Sequence, residues 1–415
     1  MARDVWLVSL LNPQSSVVIV GAGLAGWRLA EGLRQEGFNG RVTLVGDEPY
    51  QPYDRPPLSK QVLVGKWDLD RATLVREDST VSGSVEWRLG RRAVALDVEQ
   101  KVVTLDDESR LDATHVAIAT GARARRLTLS AGDLVHTIRA RDDLAKLLAD
   151  LESADVTRPW VVIGAGFLGA EVATALRTRD VAVIALEVAN APLEGVVGVP
   201  AAQWLRRLPD DFGVDLRTNQ QVRDVRGSAG RFVVELDDGE NIEAAGVVAC
   251  VGSTLELGWL ESSGLRVDGG VVVDEHLQAA TDVAALGDVA RFAWPGPVGE
   301  ELIRVEHWEV ANFHAAQLAR FWTRGVGPER NLVPYFWSDQ YGKKIQMLGH
   351  PRPDDEVTLV HGDLASAKWL ALYTRHDVVT GLLALSSPRA LMTSKVLLDQ
   401  VTSRDDAFAL APWNA

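Results

Sequence analysis

A strand followed by a glycine-rich turn occurs twice in this 415-residue chain, and the repeat constrains the fold more than any other feature. The first copy joins the apolar run 17–20 to Gly21, Gly23 and Gly26, after which residues 27–34 have helical spacing. In a G-x-G-x-x-G turn the first glycine permits the tight bend, the second lets a pyrophosphate approach, and the third lets the helix lie on the strand. The free N–H groups at the helix start then favour phosphate binding.

The second copy joins the apolar run 160–163 to Gly164, Gly166 and Gly169. One such motif is weak evidence, but two in one chain predict two dinucleotide-binding folds. We interpret the pair as two dinucleotides that pass electrons between them.

An acidic residue ends the strand that follows each turn, at Asp47 and at Glu187. A carboxylate about 20 residues beyond the glycines is expected to hydrogen-bond ribose hydroxyls. The alternative for Asp47 is an ordinary charged turn after a strand. A carboxylate at Glu187 accepts from a 2′-hydroxyl and repels a 2′-phosphate, and residues 188–195 contain no arginine, so we predict NADH over NADPH.

Composition narrows the class of protein. The formal net charge of −14 argues against binding to nucleic acid or to an anionic membrane. We also predict no membrane span, and we interpret residues 1–13 as an extension before the first strand. The single cysteine, Cys250, allows no intrachain disulfide, which favours a cytoplasmic location, and it leaves no redox-active cysteine pair.

Further motifs make the comparison with a known family specific. The first turn is followed by V-G-D-E-P-Y-x-P-Y-D-R-P-P-L-S-K at 45–60, and the chain later carries A-L-G-D-V-A at 285–290 and W-S-D-Q at 337–340. This series resembles the FAD-dependent ferredoxin reductases of bacterial oxygenase systems, which include putidaredoxin, rubredoxin and aromatic-ring dioxygenase reductases. Read without that family, 49–60 is a solvated proline-rich turn.

The resemblance implies an α/β fold with two Rossmann-like domains and a C-terminal α+β domain. The expected boundaries are 1–123 with 253–330 for the FAD domain, 124–252 for the NAD domain and 331–415 for the C-terminal domain. From the residue patterns we expect helices at 141–151 and 391–401 and a loose tail at 407–415.

The resemblance also implies the site residues, which form two sets. The FAD set is Gly21, Gly23, Leu24, Ala25, Gly26, Asp47, Arg55, Lys60, Ala93, Ala119, Thr120, Gly121, Arg139, Asp288, Trp308 and Trp337. The NAD set is Gly164, Gly166, Phe167, Leu168, Gly169, Glu171, Glu187 and Gly252. Lys60 and Glu171 are expected to come from different domains and to meet beside flavin N5, where a cation stabilises the reduced ring. The alternative for Glu171 is stabilisation of its own helix dipole.

The function implied is hydride transfer from NADH to FAD, followed by single-electron transfer to a small iron–sulfur ferredoxin or a rubredoxin. Two alternatives stay open: a flavoprotein with a quinone or oxygen acceptor, and a redox-sensing flavoprotein that is not an enzyme. His307 and His314 share a helical face but lack a third ligand, so no metal site is predicted. Arg304, Lys343 and Lys344 are candidates for a basic docking patch, and we expect a monomer or homodimer.

Overall fold

The computed structural model of the chain describes residues 8–76, 79–153, 157–327 and 332–414. The first seven residues of the predicted N-terminal extension lie outside this range. The chain forms two compact units, the first made of residues 1–54, 73–123 and 254–335, and the second made of 55–72, 124–253 and 336–415. The division into three domains stays a prediction, and the segment 55–72, which carries Lys60, belongs to the second unit.

A six-stranded sheet forms the centre of the first unit. Its strands lie in the order Gln278–Ala280, Val283–Ala285, His115–Ile118, Ser16–Val20, Arg41–Gly46 and Glu86–Leu89. All neighbouring pairs are parallel except Gln278–Ala280 with Val283–Ala285, which is antiparallel. Every residue from Val17 to Val20 is buried, as expected for a strand with parallel neighbours on both sides.

Two long helices and two small sheets complete the first unit. The helices are Leu24–Gln35 and Trp308–Arg324, and they pack closely where Gly32 faces Ala319. The small sheets are three-stranded: Ala93–Asp97, Val102–Leu105 and Arg110–Asp112, and Val271–Val273, Ala290–Gly296 and Gly299–Ile303.

In the second unit, a four-stranded parallel sheet carries the second glycine turn. Its order is Asp215–Thr218, Val183–Glu187, Trp160–Ile163 and Gly246–Ala249. The α-helices of this part are Arg141–Ser153, Phe167–Thr178, Glu194–Leu205 and Leu208–Asp211. An antiparallel sheet is formed by Val222–Ser228, Arg231–Leu236 and Asn241–Ala244. The helix predicted at 141–151 is thus confirmed.

The C-terminal part of the second unit is built on a five-stranded sheet. Its order is Tyr335–Gln340, Lys343–Gly349, Val378–Leu385, Lys368–Arg375 and Glu356–Asp363. The helix predicted at 391–401 begins earlier and is shorter: an α-helix spans Pro388–Ser394, and a 3₁₀-helix follows at Lys395–Leu398.

The predicted loose tail at 407–415 is wrong for its described residues. A helix spans Arg404–Leu410 and a 3₁₀-turn spans Pro412–Asn414. Ser403 caps the helix by accepting a 3.1 Å hydrogen bond from the backbone N–H of Asp406, and Trp413 is buried. A side-chain cap and one buried tryptophan therefore order a segment that is too short to show helical periodicity.

Candidate functional site

In the first glycine turn, two of the three glycines are required by the chain's own backbone. Gly21 has φ +124°, and a Cβ atom on it would lie 2.1 Å from the carbonyl oxygen of Ala119. A Cβ atom on Gly26 would lie 2.0 Å from the carbonyl oxygen of Gly21. A Cβ atom on Gly23, by contrast, would have no heavy atom within 4 Å among the described residues. The middle glycine therefore leaves room that the protein itself does not fill.

The second turn is built in the same way. Gly164 has φ +91°, and a Cβ atom on it would lie 2.5 Å from the carbonyl oxygen of Cys250. A Cβ atom on Gly169 would lie 1.9 Å from the carbonyl oxygen of Gly164, whereas one on Gly166 would meet nothing within 4 Å in the described structure. Among the residues that the structure describes, no side chain caps the helices that begin at Leu24 and Phe167. Both turns thus combine open space with free helix N–H groups, which suits a pyrophosphate.

The two predicted ribose-binding acids follow their strands directly, but their surroundings differ. The carboxylate of Asp47 accepts a hydrogen bond from Nη2 of Arg123. The carboxylate of Glu187 accepts two backbone N–H bonds of 2.9 Å, Oε2 from Ala165 and Oε1 from Ala189. In the part of the chain that the structure describes, no cation pairs with Glu187. Glu187 is therefore fixed against the glycine turn with its charge uncompensated.

The Ala119-Thr120-Gly121 turn contains an orphaned polar atom. The hydroxyl oxygen of Thr120 is buried and has no hydrogen-bond partner among the described residues. Because a buried hydroxyl without a partner is costly, the position fits a polar group of a bound molecule. Its neighbour Gly121 has φ +64°, and the Ala119 carbonyl leaves no room for a Cβ atom on Gly21.

Other members of the predicted FAD set lie on turns and element ends. Ala93 begins a strand and is buried, and the indole N–H of Trp308 donates a 2.9 Å bond to Oδ1 of Asp54. In the second unit, Nη1 of Arg55 donates to the carbonyl oxygen of Arg139, and Trp337 is half-buried in a strand.

Asp288 lies in the 3₁₀-turn Gly287–Val289, whose first residue is supported by a buried histidine. The N–H of Gly287 donates a 3.3 Å bond to Nδ1 of His314. Burial lowers the pKa of His314 to about 3, so the ring is neutral and its Nδ1 is an acceptor. Nδ1 of His314 therefore stabilises the turn by accepting the hydrogen bond from Gly287.

Of the remaining NAD set, Phe167 packs its ring against Phe336 with centroids 4.3 Å apart, and Leu168 follows it in the first turn of the helix. Gly252 has φ +95°, and its carbonyl oxygen accepts from the N–H of Arg125 at 3.0 Å.

Cys250 adjoins the second turn, where burial, with the nearby Glu171 carboxylate, raises the pKa of its thiol to about 12. That thiol is protonated at neutral pH and is not a nucleophile.

Lys60 and Glu171 meet, as the family resemblance implies, in a buried cluster, and both residues lie in the second unit. Their place beside flavin N5 stays a prediction. Nζ of Lys60 lies 2.7 Å from Oε2 of Glu171. Ser59 donates a 2.6 Å bond to the same oxygen, and Ser338 donates a 2.6 Å bond to Oε1. Lys60 lies in a single π-helical turn, Leu58–Val62, which aims both residue 59 and residue 60 at the carboxylate.

Sequence reasoning missed Ser59, Ser338 and the supporting role of His314. Two of the three were within quoted motifs, since Ser59 precedes Lys60 and Ser338 is the serine of W-S-D-Q. The signal available was a hydroxyl residue beside each predicted flavin contact. His314 carried no such signal, because only its interior position makes it a hydrogen-bond acceptor for Gly287.

Two candidate basic residues are paired with acids: Arg304 with Glu306 at 2.7 Å and Lys344 with Asp339 at 3.0 Å. The docking patch stays a prediction.

No group of three or more potential metal ligands occurs among the described residues, and no helix in them is long and apolar enough to cross a membrane.

Two dinucleotide turns of identical construction define an oxidoreductase of the two-dinucleotide class. Residues 15–315 match the pyridine nucleotide-disulphide oxidoreductase family, and residues 335–412 match the reductase C-terminal family. The chain therefore belongs to the pyridine nucleotide-disulphide oxidoreductase family, among its ferredoxin reductases.

Similar proteins cover nearly the whole chain. Rhodocoxin reductase of Rhodococcus erythropolis is 33% identical, covering 92% of this chain and 89% of that protein. The ferredoxin reductase component of chlorobenzene dioxygenase from a Cupriavidus strain is 35% identical, covering 90% of each. The reductase in the crystal structure of the covalent putidaredoxin reductase–putidaredoxin complex superposes with a TM-score of 0.88 at 30% identity, covering 94% of each chain. These findings confirm the predicted family resemblance, the fold class and the class of enzyme, an FAD-dependent oxidoreductase.

Proposed function

We propose that the protein carries electrons from NADH through FAD to a small iron–sulfur ferredoxin, or a rubredoxin, that serves an oxygenase such as a cytochrome P450 or an aromatic-ring dioxygenase. The observation that carries the proposal is the pair of glycine turns. In each turn the chain's own backbone leaves no room for a side chain at the outer glycines, and described residues leave open space at the middle glycine. The partner is supported by two relatives: one is named as the ferredoxin reductase component of chlorobenzene dioxygenase, and another was crystallised in a covalent complex with putidaredoxin.

The residues of each turn fit one cofactor. Gly21, Gly23, Gly26 and the unpaired hydroxyl of Thr120 would hold FAD, which, when bound, converts hydride equivalents into single electrons. Gly164, Gly166, Gly169 and Glu187 would hold NADH. By the family resemblance, Lys60 would supply a cation that stabilises negative charge on a bound, reduced flavin. Glu171 holds that cation in place at 2.7 Å.

Glu187 supports a preference for NADH. Its carboxylate carries an uncompensated charge at the end of the strand, where the 2′ position of the ribose is expected. The 2′-phosphate of NADPH at that position would be repelled by the negative charge of the Glu187 carboxylate. We expect kcat/KM to be higher for NADH than for NADPH, and equal or NADPH-favouring values would contradict this assignment.

Reconstituted turnover tests the acceptor. NADH, the purified protein and a small ferredoxin or rubredoxin are mixed with cytochrome c as the final reporter, and a quinone or air replaces the carrier in parallel. We expect cytochrome c reduction to depend on the iron–sulfur protein. Equal rates without it, or faster turnover with the quinone, would overturn the assigned acceptor.

Lys60→Ala tests the role of the cation. Removing a charge that stabilises the transition state is expected to slow flavin reduction by about 100-fold, or to lower the flavin content. Lys66→Ala is the matched control, because Lys66 is an exposed lysine on the same segment. Unchanged flavin content and reduction rate in Lys60→Ala would count against the role.

We also propose that the protein works in the cytoplasm as a monomer or homodimer. The cytoplasmic part rests on the single cysteine, which needs no oxidising compartment. Sedimentation of the purified protein measures the oligomeric state.

A further inference from the structure

The carboxylate of Glu171 is the most densely bonded buried acid in the candidate site. Its side chain is 7% exposed, so its charge depends on protein donors rather than on water. Oε2 accepts from Ser59 at 2.6 Å and from Lys60 at 2.7 Å. Oε1 accepts from Ser338 at 2.6 Å and from the N–H of Asp339 at 3.3 Å.

The four donors are divided between two segments, one for each oxygen. The π-helical turn Leu58–Val62 supplies both donors to Oε2, and the strand Tyr335–Gln340 supplies both donors to Oε1. A carboxylate held from both sides cannot turn without losing bonds at each oxygen. Its orientation, and with it the position of the Lys60 ammonium group, is therefore fixed.

Ser338 is itself held in one hydrogen-bonding direction. Its hydroxyl oxygen accepts from Nε2 of Gln340 at 3.1 Å, which leaves the hydroxyl proton for Glu171. Ser338 and Gln340 are both buried, with exposed fractions of 0% and 4%. Without Ser338, Oε1 would keep only the longer bond from Asp339, and the carboxylate could turn away from Lys60.

We propose that Ser338 and Ser59 are positioning residues that fix Glu171 from opposite sides, so that Lys60 is held where flavin reduction by NADH requires it. The proposal rests on the proposed function. It assigns the strand Tyr335–Gln340 a direct part in the rate of flavin reduction. A purely structural role for the two serines would instead affect only folding and flavin retention.

Anaerobic stopped-flow mixing of the FAD-loaded protein with increasing NADH tests this. The limiting rate of flavin bleaching in Ser338→Ala is expected to fall about tenfold or more, because small misplacements of a catalytic group are costly. The apparent dissociation constant for NADH is expected to change less than about threefold, because Ser338 is fully buried and its hydroxyl is bonded to Glu171. Ser338→Thr, which keeps the hydroxyl, should recover most of the rate.

Ser394→Ala is the matched control. Ser394 is also fully buried in the second unit, and its hydroxyl has no hydrogen-bond partner among the described residues. We expect the flavin of this variant to be reduced by NADH at the same limiting rate as the flavin of the parent protein. If Ser338→Ala is purified without flavin, Ser59→Ala is used to test the positioning role instead. We expect the same loss of limiting rate in that variant.

The outcomes separate the two proposals. If the parent protein does not bleach with NADH, the proposed function fails. If the parent bleaches and Ser338→Ala bleaches at the same limiting rate, or Ser338→Thr is as slow as Ser338→Ala, only the positioning role is overturned.

Discussion

The two glycine turns share one backbone design but differ in how the following acid is held. In both turns a carbonyl oxygen of the chain leaves no room for a Cβ atom on the outer glycines, and a Cβ atom on the middle glycine would meet no described residue. Asp47 is paired with the guanidinium of Arg123, whereas Glu187 is held by two backbone N–H groups. In the proposed function, the turn would fix where a dinucleotide backbone binds, and the partner of the acid would set the charge near the ribose.

Alanine substitutions within each turn should give the largest effects and should separate the outer glycines from the middle ones. Gly26→Ala and Gly169→Ala place a methyl group against backbone oxygen, at 2.0 and 1.9 Å, so each should destabilise its unit. We expect a loss of about 1–3 kcal/mol or more, measured by urea denaturation of the apo protein.

Gly23→Ala and Gly166→Ala are the contrasting variants. Both positions have φ values open to alanine, −94° and −66°, so the apo protein should be as stable as the parent. Affinity should nevertheless fall by about tenfold or more, for FAD and NADH respectively, because the methyl group occupies the pyrophosphate approach. Equal stability losses at outer and middle glycines would break the comparison.

Glu187→Gln should change the nucleotide preference. Removing the uncompensated charge is expected to raise the NADPH/NADH ratio of kcat/KM by about tenfold or more, because like-charge repulsion of the 2′-phosphate is lost. One of the two N–H bonds also loses its acceptor, so the efficiency with NADH should fall. Asp47→Asn is the control and should leave the ratio unchanged.

Acidification should weaken the first unit through His314. Burial lowers the pKa of this histidine to about 3, whereas an unfolded histidine has a pKa of about 6.5. The unfolded chain therefore binds a proton that the folded chain does not, and the contribution to stability is complete above about pH 6.5 and is lost as the pH falls toward 3. At about pH 5 the expected loss is about 2 kcal/mol.

His314→Gln tests that assignment, because glutamine keeps an acceptor for the N–H of Gly287 and does not titrate. Urea unfolding is monitored by the release of flavin. Between about pH 7 and 5, the urea midpoint should fall less in the variant than in the parent. The Gly287 turn contacts Ala25 in the first helix, where a Cβ atom on Gly287 would lie 2.9 Å away. Identical pH dependence in the two proteins would contradict the role of His314.

The smallest effect is expected from Arg123→Ala. The side chains of Arg123 and Asp47 are 48% and 42% exposed, so their ion pair is screened by solvent. We expect less than about 1 kcal/mol in stability and less than about a fivefold change in FAD affinity. A loss of flavin as large as that of Gly23→Ala would mean that the cation, not the turn, determines binding.

The sequence predicts the parts of the site that local patterns encode. Gly21 and Gly164 can be found from spacing because each serves its own turn, and the acids follow because strand length places them. Lys60 and Glu171 were paired only through the family resemblance, since no local pattern joins residues so far apart.

The remaining contacts depend on tertiary packing and could not be read from the chain. Arg123 is distant in sequence from Asp47, and Ser338 is distant from Glu171. Trp413 is buried at the end of a segment with too few residues for a periodic signal. Such positions show their roles only when the fold brings their partners together.

Anaerobic titration of the FAD-loaded protein with NADH shows whether electrons pass from NADH through FAD to an iron–sulfur protein. We expect the yellow flavin absorbance to be lost as NADH is added and to return when an oxidised small iron–sulfur ferredoxin follows. A protein that stays colourless after reconstitution with FAD, or a flavin that stays oxidised under excess NADH, would contradict it.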